Sequence, residues 1–127
     1  MGLEQAGMIC KGQVENNEYC NRILAKHWPH VPRWGDIKLL NPACLPAVDL
    51  ICGGYPCQPF SLSGLRKGEA ADRHLWPFFI KIIAHLRPAW CVLENVAGHI
   101  SMGLDTVLSD LEGEGYAAVP VVIPACA

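Results

Sequence analysis

A cysteine between two prolines follows a pair of glycines in Gly53-Gly54-Tyr55-Pro56-Cys57-Gln58-Pro59-Phe60-Ser61. Proline fixes φ and has no N–H, so Pro56 and Pro59 restrict the backbone on both sides of Cys57. The glycines permit a sharp turn or the close approach of a ligand. The apolar run Val48 to Cys52 comes just before them and reads as a buried strand. A thiol held at the carboxyl end of a strand can serve as a positioned nucleophile. A free thiol has a pKa of about 8.5 and is only a few per cent thiolate at neutral pH, yet cysteine is intrinsically very nucleophilic. An arbitrary cysteine in a tight turn is usually structural, and it is the proline and glycine setting that favours chemistry here.

Three acids and an amide could work with that thiol. Glu94 follows the apolar run Trp90 to Leu93, so its carboxyl is expected at a strand exit, partly desolvated and able to hold a proton near neutrality. Such an acid suits protonation of a ring nitrogen, and Asn95 could align it. Without that context it would be an ordinary surface acid. Glu15 also ends an apolar stretch, where an acid in a dinucleotide-type half-fold holds ribose hydroxyls. Asp36 lies on a turn that could join it. Arg66, Lys67 and Arg73 sit close after the thiol, either to meet phosphate or as a solvated loop.

The elements that must position these groups alternate. Met8 to Glu15 reads as a strand, and Asn17 could cap a helix running to about His27 with Tyr19, Ile23, Leu24 and Trp28 on its apolar face. Pro29 and Pro32 break it, and Gly35-Asp36-Ile37 is a turn after an extended segment. After the strand Val48 to Cys52 and the loop Ser61 to Asp72, Arg73 to Leu86 carries Leu75, Phe79, Ile82 and Leu86 at helical spacing. Trp90 to Leu93 is a short strand, Met102 to Leu111 fits a helix, and Tyr116 to Ile123 reads as a last strand. Strand and helix in turn argue for an α/β layer with a mainly parallel sheet. Ligands of such sheets bind outside the carboxyl ends of the strands, where Glu15, Pro56-Cys57-Gln58 and Glu94-Asn95 all fall.

Composition narrows the function classes. The 127 residues suit one domain, and 51% hydrophobic with 17% charged is a folding composition. A net charge of −2 does not mark a nucleic-acid surface, so a DNA-binding reading has to come from the site. The seven cysteines include no CxxC pair, and no signal peptide is visible, which points to a reducing cytoplasm. Cys52, Cys91 and Cys126 read as small core residues. The histidines lack ligand spacing, so no metal site is expected. No apolar stretch is long enough to span a membrane.

At these residues the chain resembles the DNA (cytosine-5)-methyltransferase family. Gly53 to Ser61 is similar to its catalytic-loop motif almost letter for letter, and Leu93-Glu94-Asn95-Val96 to its second catalytic motif. Gly68 to Phe79, with Asp72, Arg73, Leu75 and Trp76, resembles the block between them. Gly2 to Gly7 resembles the helix after the family's first motif, and Val14-Glu15-Asn16 and Gly35-Asp36-Ile37 resemble its cofactor motifs. The resemblance covers nearly the whole chain. It implies a Rossmann-like, S-adenosylmethionine-dependent methyltransferase fold: a mainly parallel sheet with helices on both faces. It also implies addition of Cys57 to carbon 6 of a flipped-out cytosine and protonation of nitrogen 3 by Glu94, before carbon 5 accepts the methyl of S-adenosyl-L-methionine. Pro56, Gln58 and Asn95 would complete the catalytic set. Glu15, Asn16, Asp36, Ile37, Pro56 and Leu75 would face the cofactor, with no metal.

The family's glycine-rich first motif would precede Gly2, and its arginine-bearing motif and target-recognition region would follow Ala127. The expectation is therefore a partial catalytic domain over residues 1–127, its Rossmann-like sheet incomplete. Expected partners are double-stranded DNA and either a separately encoded remainder of the enzyme or a cognate restriction endonuclease. The alternatives are an RNA cytosine methyltransferase of the same chemistry or a catalytically dead, partner-binding relic. The chain by itself is expected to transfer little or no methyl, because an incomplete sheet leaves an unpaired edge. A radioactive methyl-transfer assay checks this, and robust turnover would contradict it.

Overall fold

A computed structural model describes residues 2–55, 75–101 and 103–124. The expected roles of Pro56, Cys57 and Gln58, and the cationic stretch Arg66 to Arg73, lie outside the described residues. The fold is mixed α/β, and every strand pair in it is parallel.

The first part is α1 (Gly2–Gln5), β1 (Gln13–Val14), α2 (Glu18–His27) and β2 (Arg33–Trp34). Gly7, at φ 85°, ends the α1 turn in the left-handed region, where glycine has no Cβ penalty. Asn17 caps α2 as expected: its side chain accepts from the Cys20 N–H at 3.1 Å. The helix exposes much of the face assigned to burial, since Tyr19 and Ile23 both lie open to solvent. The Trp28 indole donates to Glu4, tying the end of α2 back to α1. Arg33 donates to the Trp28 carbonyl at 2.8 Å and to Gln13 at 3.3 Å, which joins α2, β2 and β1.

The strand expected over Met8 to Glu15 is confined to Gln13–Val14, paired Gln13 to Arg33 and Val14 to Trp34. Met8 and Ile9 are exposed and belong to no strand. Hydrophobicity alone did not extend the strand, because β structure needs a partner's ladder as well as suitable side chains.

The second part carries the core. A 3₁₀ turn over Pro42–Cys44 leads to β3 (Leu50–Gly54), followed by α3 (Trp76–Leu86), β4 (Trp90–Glu94), a second 3₁₀ turn (Ala97–Ser101) and α4 (Leu104–Gly113). Strands β3 and β4 pair in parallel over five residues, from Leu50 opposite Trp90 to Gly54 opposite Glu94. Their side chains alternate between faces, as the pleat requires. Ile51, Cys91 and Leu93 pack on a cluster of Tyr55, Trp76, Ile83, Val107 and Leu111. Burial pushes the Cys91 thiol up, against a smaller downward pull from its hydrogen bond with Tyr116. The opposite face bears Cys52, Trp90 and Val92, which are exposed, so Cys52 is not the core residue expected of it. Helices on both faces were expected; among the described residues they cover one face of this ribbon.

The buried face of α3 is wider than the expected one. Phe79 packs on the core cluster and Ile82 is buried, as expected, but Trp76, Ile80 and Ile83 face the core as well, and Leu75 and Leu86 are only half-buried. Leu75 is the residue before the helix, and Pro77 sits in its first turn, where a missing N–H costs nothing. Arg87 stops it at φ 50°, its N–H bonded to the Ile83 carbonyl at 2.8 Å, and its guanidinium pairs with Glu114 at 2.8 Å. The expected helix from Met102 runs as Leu104–Gly113. The Trp76 indole donates to Asp110 at 2.7 Å and locks α3 to α4.

The last expected strand, Tyr116 to Ile123, is not one. Tyr116 and Ala118 pack on the core, but Val119 and Val121 to Ile123 are exposed, with no ladder. Pro120 and Pro124 supply no N–H to a ladder, so β-branched side chains do not suffice there. Ile83→Ala, at a position with 0% exposure, is expected to cost about 2–5 kcal/mol of stability. Ile123→Ala, at 80% exposure, is expected to stay within about 0.5 kcal/mol of the parent. Urea unfolding of the two variants checks both.

Candidate active site

Two strand ends gather the chemistry-bearing residues, one on each ribbon. On the first ribbon the Glu15 N–H continues the parallel ladder onto the Trp34 carbonyl at 3.0 Å. Glu15 therefore stands just past β1, and Asp36 lies two residues past β2. Asn17 donates its backbone N–H to the Glu15 carboxylate at 2.7 Å, and the Asn21 amide donates to the Glu15 carbonyl at 2.7 Å. Backbone and side chain of Glu15 are thus both fixed by the start of α2. Asp36 accepts the Lys38 N–H at 2.9 Å and begins a turn whose next bond runs from the Leu39 N–H to the Asp36 carbonyl. Asn16 is exposed between Glu15 and the α2 cap, and Ile37 is half-buried in the turn.

On the second ribbon, parallel register sets Gly54 beside Glu94. The carboxylate of Glu94 lies directly over Gly54: a Cβ on that glycine would come within 2.9 Å of Glu94 Oε2. Gly54 is thus the floor on which this acid rests. Glu94 is exposed among the described residues, so these residues alone do not desolvate its carboxyl as the sequence had suggested. One residue further on, the Asn95 amide donates to the Tyr55 carbonyl at 2.9 Å, and its own carbonyl oxygen accepts the Val96 N–H at 2.9 Å. The exits of β3 and β4 are therefore bound to each other immediately before Pro56.

Leu75 precedes α3, its carbonyl accepting from the Phe78 and Phe79 N–H groups at 3.1 Å. It is next to Trp76, whose ring sits 5.1 Å from that of Tyr55. So Leu75 attaches to the second ribbon, through its neighbour. Glu15 and Asp36 share the end of the first ribbon, and no strand hydrogen bond joins the two ribbons among the described residues.

Sequence reasoning missed Tyr55 and His99 as partners. The Tyr55 hydroxyl and His99 Nε2 are 2.9 Å apart, and both residues are buried. No spacing pattern marks His99, because it sits in a 3₁₀ turn that periodicity does not register. Among the described residues no group of histidine, cysteine or carboxylate side chains is arranged to hold a metal.

The family model described as C-5 cytosine-specific DNA methylase matches residues 1–127. The type II methyltransferase M.HgiCII of Herpetosiphon aurantiacus is 35% identical over 126 residues, covering 91% of this chain and 28% of that protein. The type II methyltransferase M.HhaI of Haemophilus parahaemolyticus is 32% identical over 102 residues, covering 80% of this chain and 31% of its own length. M.BsuFI of Bacillus subtilis, also a type II methyltransferase, is 29% identical over 130 residues, covering 98% of this chain and 32% of its own length. The chain spans less than a third of each of these relatives.

The two glycines of β3 should separate on substitution. Gly54→Ala crowds the movable end of Glu94 and stands at an ordinary 3.6 Å from its backbone oxygen, so stability should change by less than about 1 kcal/mol while the Glu94 carboxyl carbon resonance shifts. Gly53→Ala would put a Cβ 3.0 Å from the Phe79 ring in the core and should cost about 1–3 kcal/mol with that resonance unmoved. Carbon-13 spectra and denaturant melts of the two variants check this.

Proposed function

The chain belongs to the C-5 cytosine-specific DNA methylase family, and on that premise we propose that it forms part of the catalytic domain of a DNA cytosine methyltransferase. The reaction moves a methyl group from S-adenosyl-L-methionine to carbon 5 of cytosine in double-stranded DNA. The observation that carries the reading is the β3–β4 register. The strand leading into Pro56-Cys57 ends beside Glu94 and is tied to Asn95.

The chemistry needs that pairing. Carbon 5 of an aromatic pyrimidine is a poor nucleophile until covalent addition breaks the conjugation of the ring. The Cys57 thiolate adds to carbon 6 as Glu94 gives a proton to nitrogen 3, so the added electron pair is delocalised toward carbon 5. Carbon 5 then takes the methyl group, and the demethylated donor leaves. Loss of the carbon 5 proton to a base expels the thiolate, nitrogen 3 gives its proton back to Glu94, and the neutral aromatic ring is restored. The cytosine must leave the helical stack for both groups to reach it. Pro56 limits the backbone at the nucleophile, Gln58 follows it in the same loop, and Asn95 orients the exit of β4.

Glu15, with Asn16 beside it, would hold the ribose hydroxyls of the methyl donor, and Asp36 with Ile37 its adenine. The donor set fits such a ligand: two acids stand at adjacent parallel strand ends, where carboxylates can accept hydrogen bonds from hydroxyl and amino groups. Pro56 and Leu75 would line the methyl-bearing side. The relatives' type II naming supports a restriction–modification setting with a cognate endonuclease. A cytoplasmic site of action accords with this setting. No helix among the described residues is long and apolar enough to cross a membrane.

The deciding experiment incubates the chain with methyl-labelled S-adenosyl-L-methionine and duplex DNA carrying 5-fluorocytosine, with a parallel reaction on RNA carrying the same base. It is run with the chain alone and mixed with the complementary remainder of the Herpetosiphon relative. Fluorine at carbon 5 cannot leave as a proton, so a labelled, denaturation-resistant protein–DNA adduct should accumulate in the mixture through Cys57 and vanish in Cys57→Ser. Glu94→Gln should slow its formation by about 10²- to 10⁴-fold, the usual weight of a positioned acid. An adduct through another residue, or labelling of RNA in place of DNA, would overturn the reading.

A further inference from the structure

Tyr55, immediately before Pro56, is gripped at both ends by the segment that follows β4. Its backbone carbonyl accepts from the Asn95 amide at 2.9 Å, and its hydroxyl is hydrogen-bonded to His99 Nε2 at 2.9 Å. The two rings meet edge to face at 5.3 Å and 80°. On the other side the Tyr55 ring lies against Trp76, whose indole is bonded to Asp110. His99 is itself constrained. Its N–H bonds to the Val96 carbonyl at 2.9 Å, and Gly103 leaves it room: a Cβ there would stand 3.0 Å from His99 Cε1.

We propose that His99 is a positioning residue for the nucleophile: through Tyr55 it sets where the chain enters Pro56-Cys57. This rests on the methyltransferase reading for the role of Cys57, which lies outside the described residues. The physical argument is one of lever arms. A carbonyl bond alone would let the Tyr55 residue pivot about that point. A second bond at the far end of a rigid phenol ring removes the pivot, and the fixed φ of Pro56 transmits the setting onward. Apolar contacts with Trp76 would keep the ring buried without fixing its rotation about the carbonyl bond. The hydroxyl–imidazole bond adds direction, and in a buried setting it is costly to leave unmade. The segment Asn95 to His99 thus holds the entry to the proposed nucleophile at two points while carrying Glu94 at its head.

The test compares the full chain with Tyr55→Phe, His99→Leu, His99→Gln and the double variant Tyr55→Phe/His99→Leu. Each is treated with iodoacetamide, and peptide mass spectrometry gives the alkylation rate of Cys57 divided by that of Cys44, an exposed cysteine outside this network. Tyr55→Phe and His99→Leu should each shift the ratio at least about threefold in the same direction, with the double variant shifted no further than either, as coupled neighbours require. His99→Gln keeps a hydrogen-bonding group and should stay within about twofold of the parent, which a requirement for ring volume alone would not give. Tyr55→Phe removes one oxygen and keeps the test decisive should His99→Leu fail to fold. Unchanged ratios, or additive shifts in the double variant, would overturn the proposal. The 5-fluorocytosine adduct decides the methyltransferase reading separately. Shifted ratios without an adduct would uphold the positioning role and sink that reading, and an adduct with unshifted ratios would do the reverse.

Discussion

Parallel pairing of Leu50–Gly54 with Trp90–Glu94 decides where the chemistry can occur. In a parallel pair both chains leave the sheet at the same edge, so residues some forty positions apart in sequence become neighbours without a dedicated contact. Register then makes the arrangement specific. A slip of β4 by one residue would turn Glu94 toward the core and bring Cys91 and Leu93 to solvent. The core under the ribbon therefore holds the acid in place, because Trp76, Ile83, Val107 and Leu111 reward only one register. Stability and site geometry depend on the same side-chain alternation.

Beyond the sheet edge, position is kept by polar bonds. Asn95 reaches the Tyr55 carbonyl, His99 reaches the Tyr55 hydroxyl, and Trp76 carries the network to Asp110 on α4. A loop leaving a strand has lost its ladder, and its backbone groups need other partners. Here the partners come from the segment bearing the proposed acid, so displacement of one exit disturbs the other. On the first ribbon the same logic appears at smaller scale, where Asn17 and Asn21 of α2 fix Glu15.

Much of this was legible in the sequence, and the failures have a common cause. The Asn17 cap, the strand from Trp90 and the break after Leu86 follow from local rules that need no tertiary context. The strand expected over Val48 to Cys52 runs two residues later, as Leu50–Gly54, because pairing with β4 draws in the two glycines that were expected to turn away from it. Glu94 and Asn95 could be placed at a strand end because the apolar run before them stops abruptly. Met8 to Glu15 and Tyr116 to Ile123 failed as full strands because a strand exists only with a partner, which composition does not name. The wider buried face of α3 has a similar origin. With Phe78, Phe79, Ile80, Ile82 and Ile83 nearly contiguous, several stripes fit a helical period, and the residues around Tyr55 and the ribbon draw on more than one of them. The Tyr55–His99 bond was invisible because it joins residues 44 positions apart in a loop and a 3₁₀ turn.

The exposure of Glu94 leaves its carboxylate open to a ligand at the sheet edge. An acid that gives up a proton to a ligand must meet the accepting atom in a fixed geometry. What the strand supplies is orientation, with Gly54 beneath the carboxylate and the Asn95 side chain bonded to the Tyr55 carbonyl next to it. On the proposed reading the flipped cytosine closes over this edge and excludes water from the carboxyl it is about to use. A site open before the base arrives and covered once it is seated admits a bulky substrate without moving the strands that orient the acid.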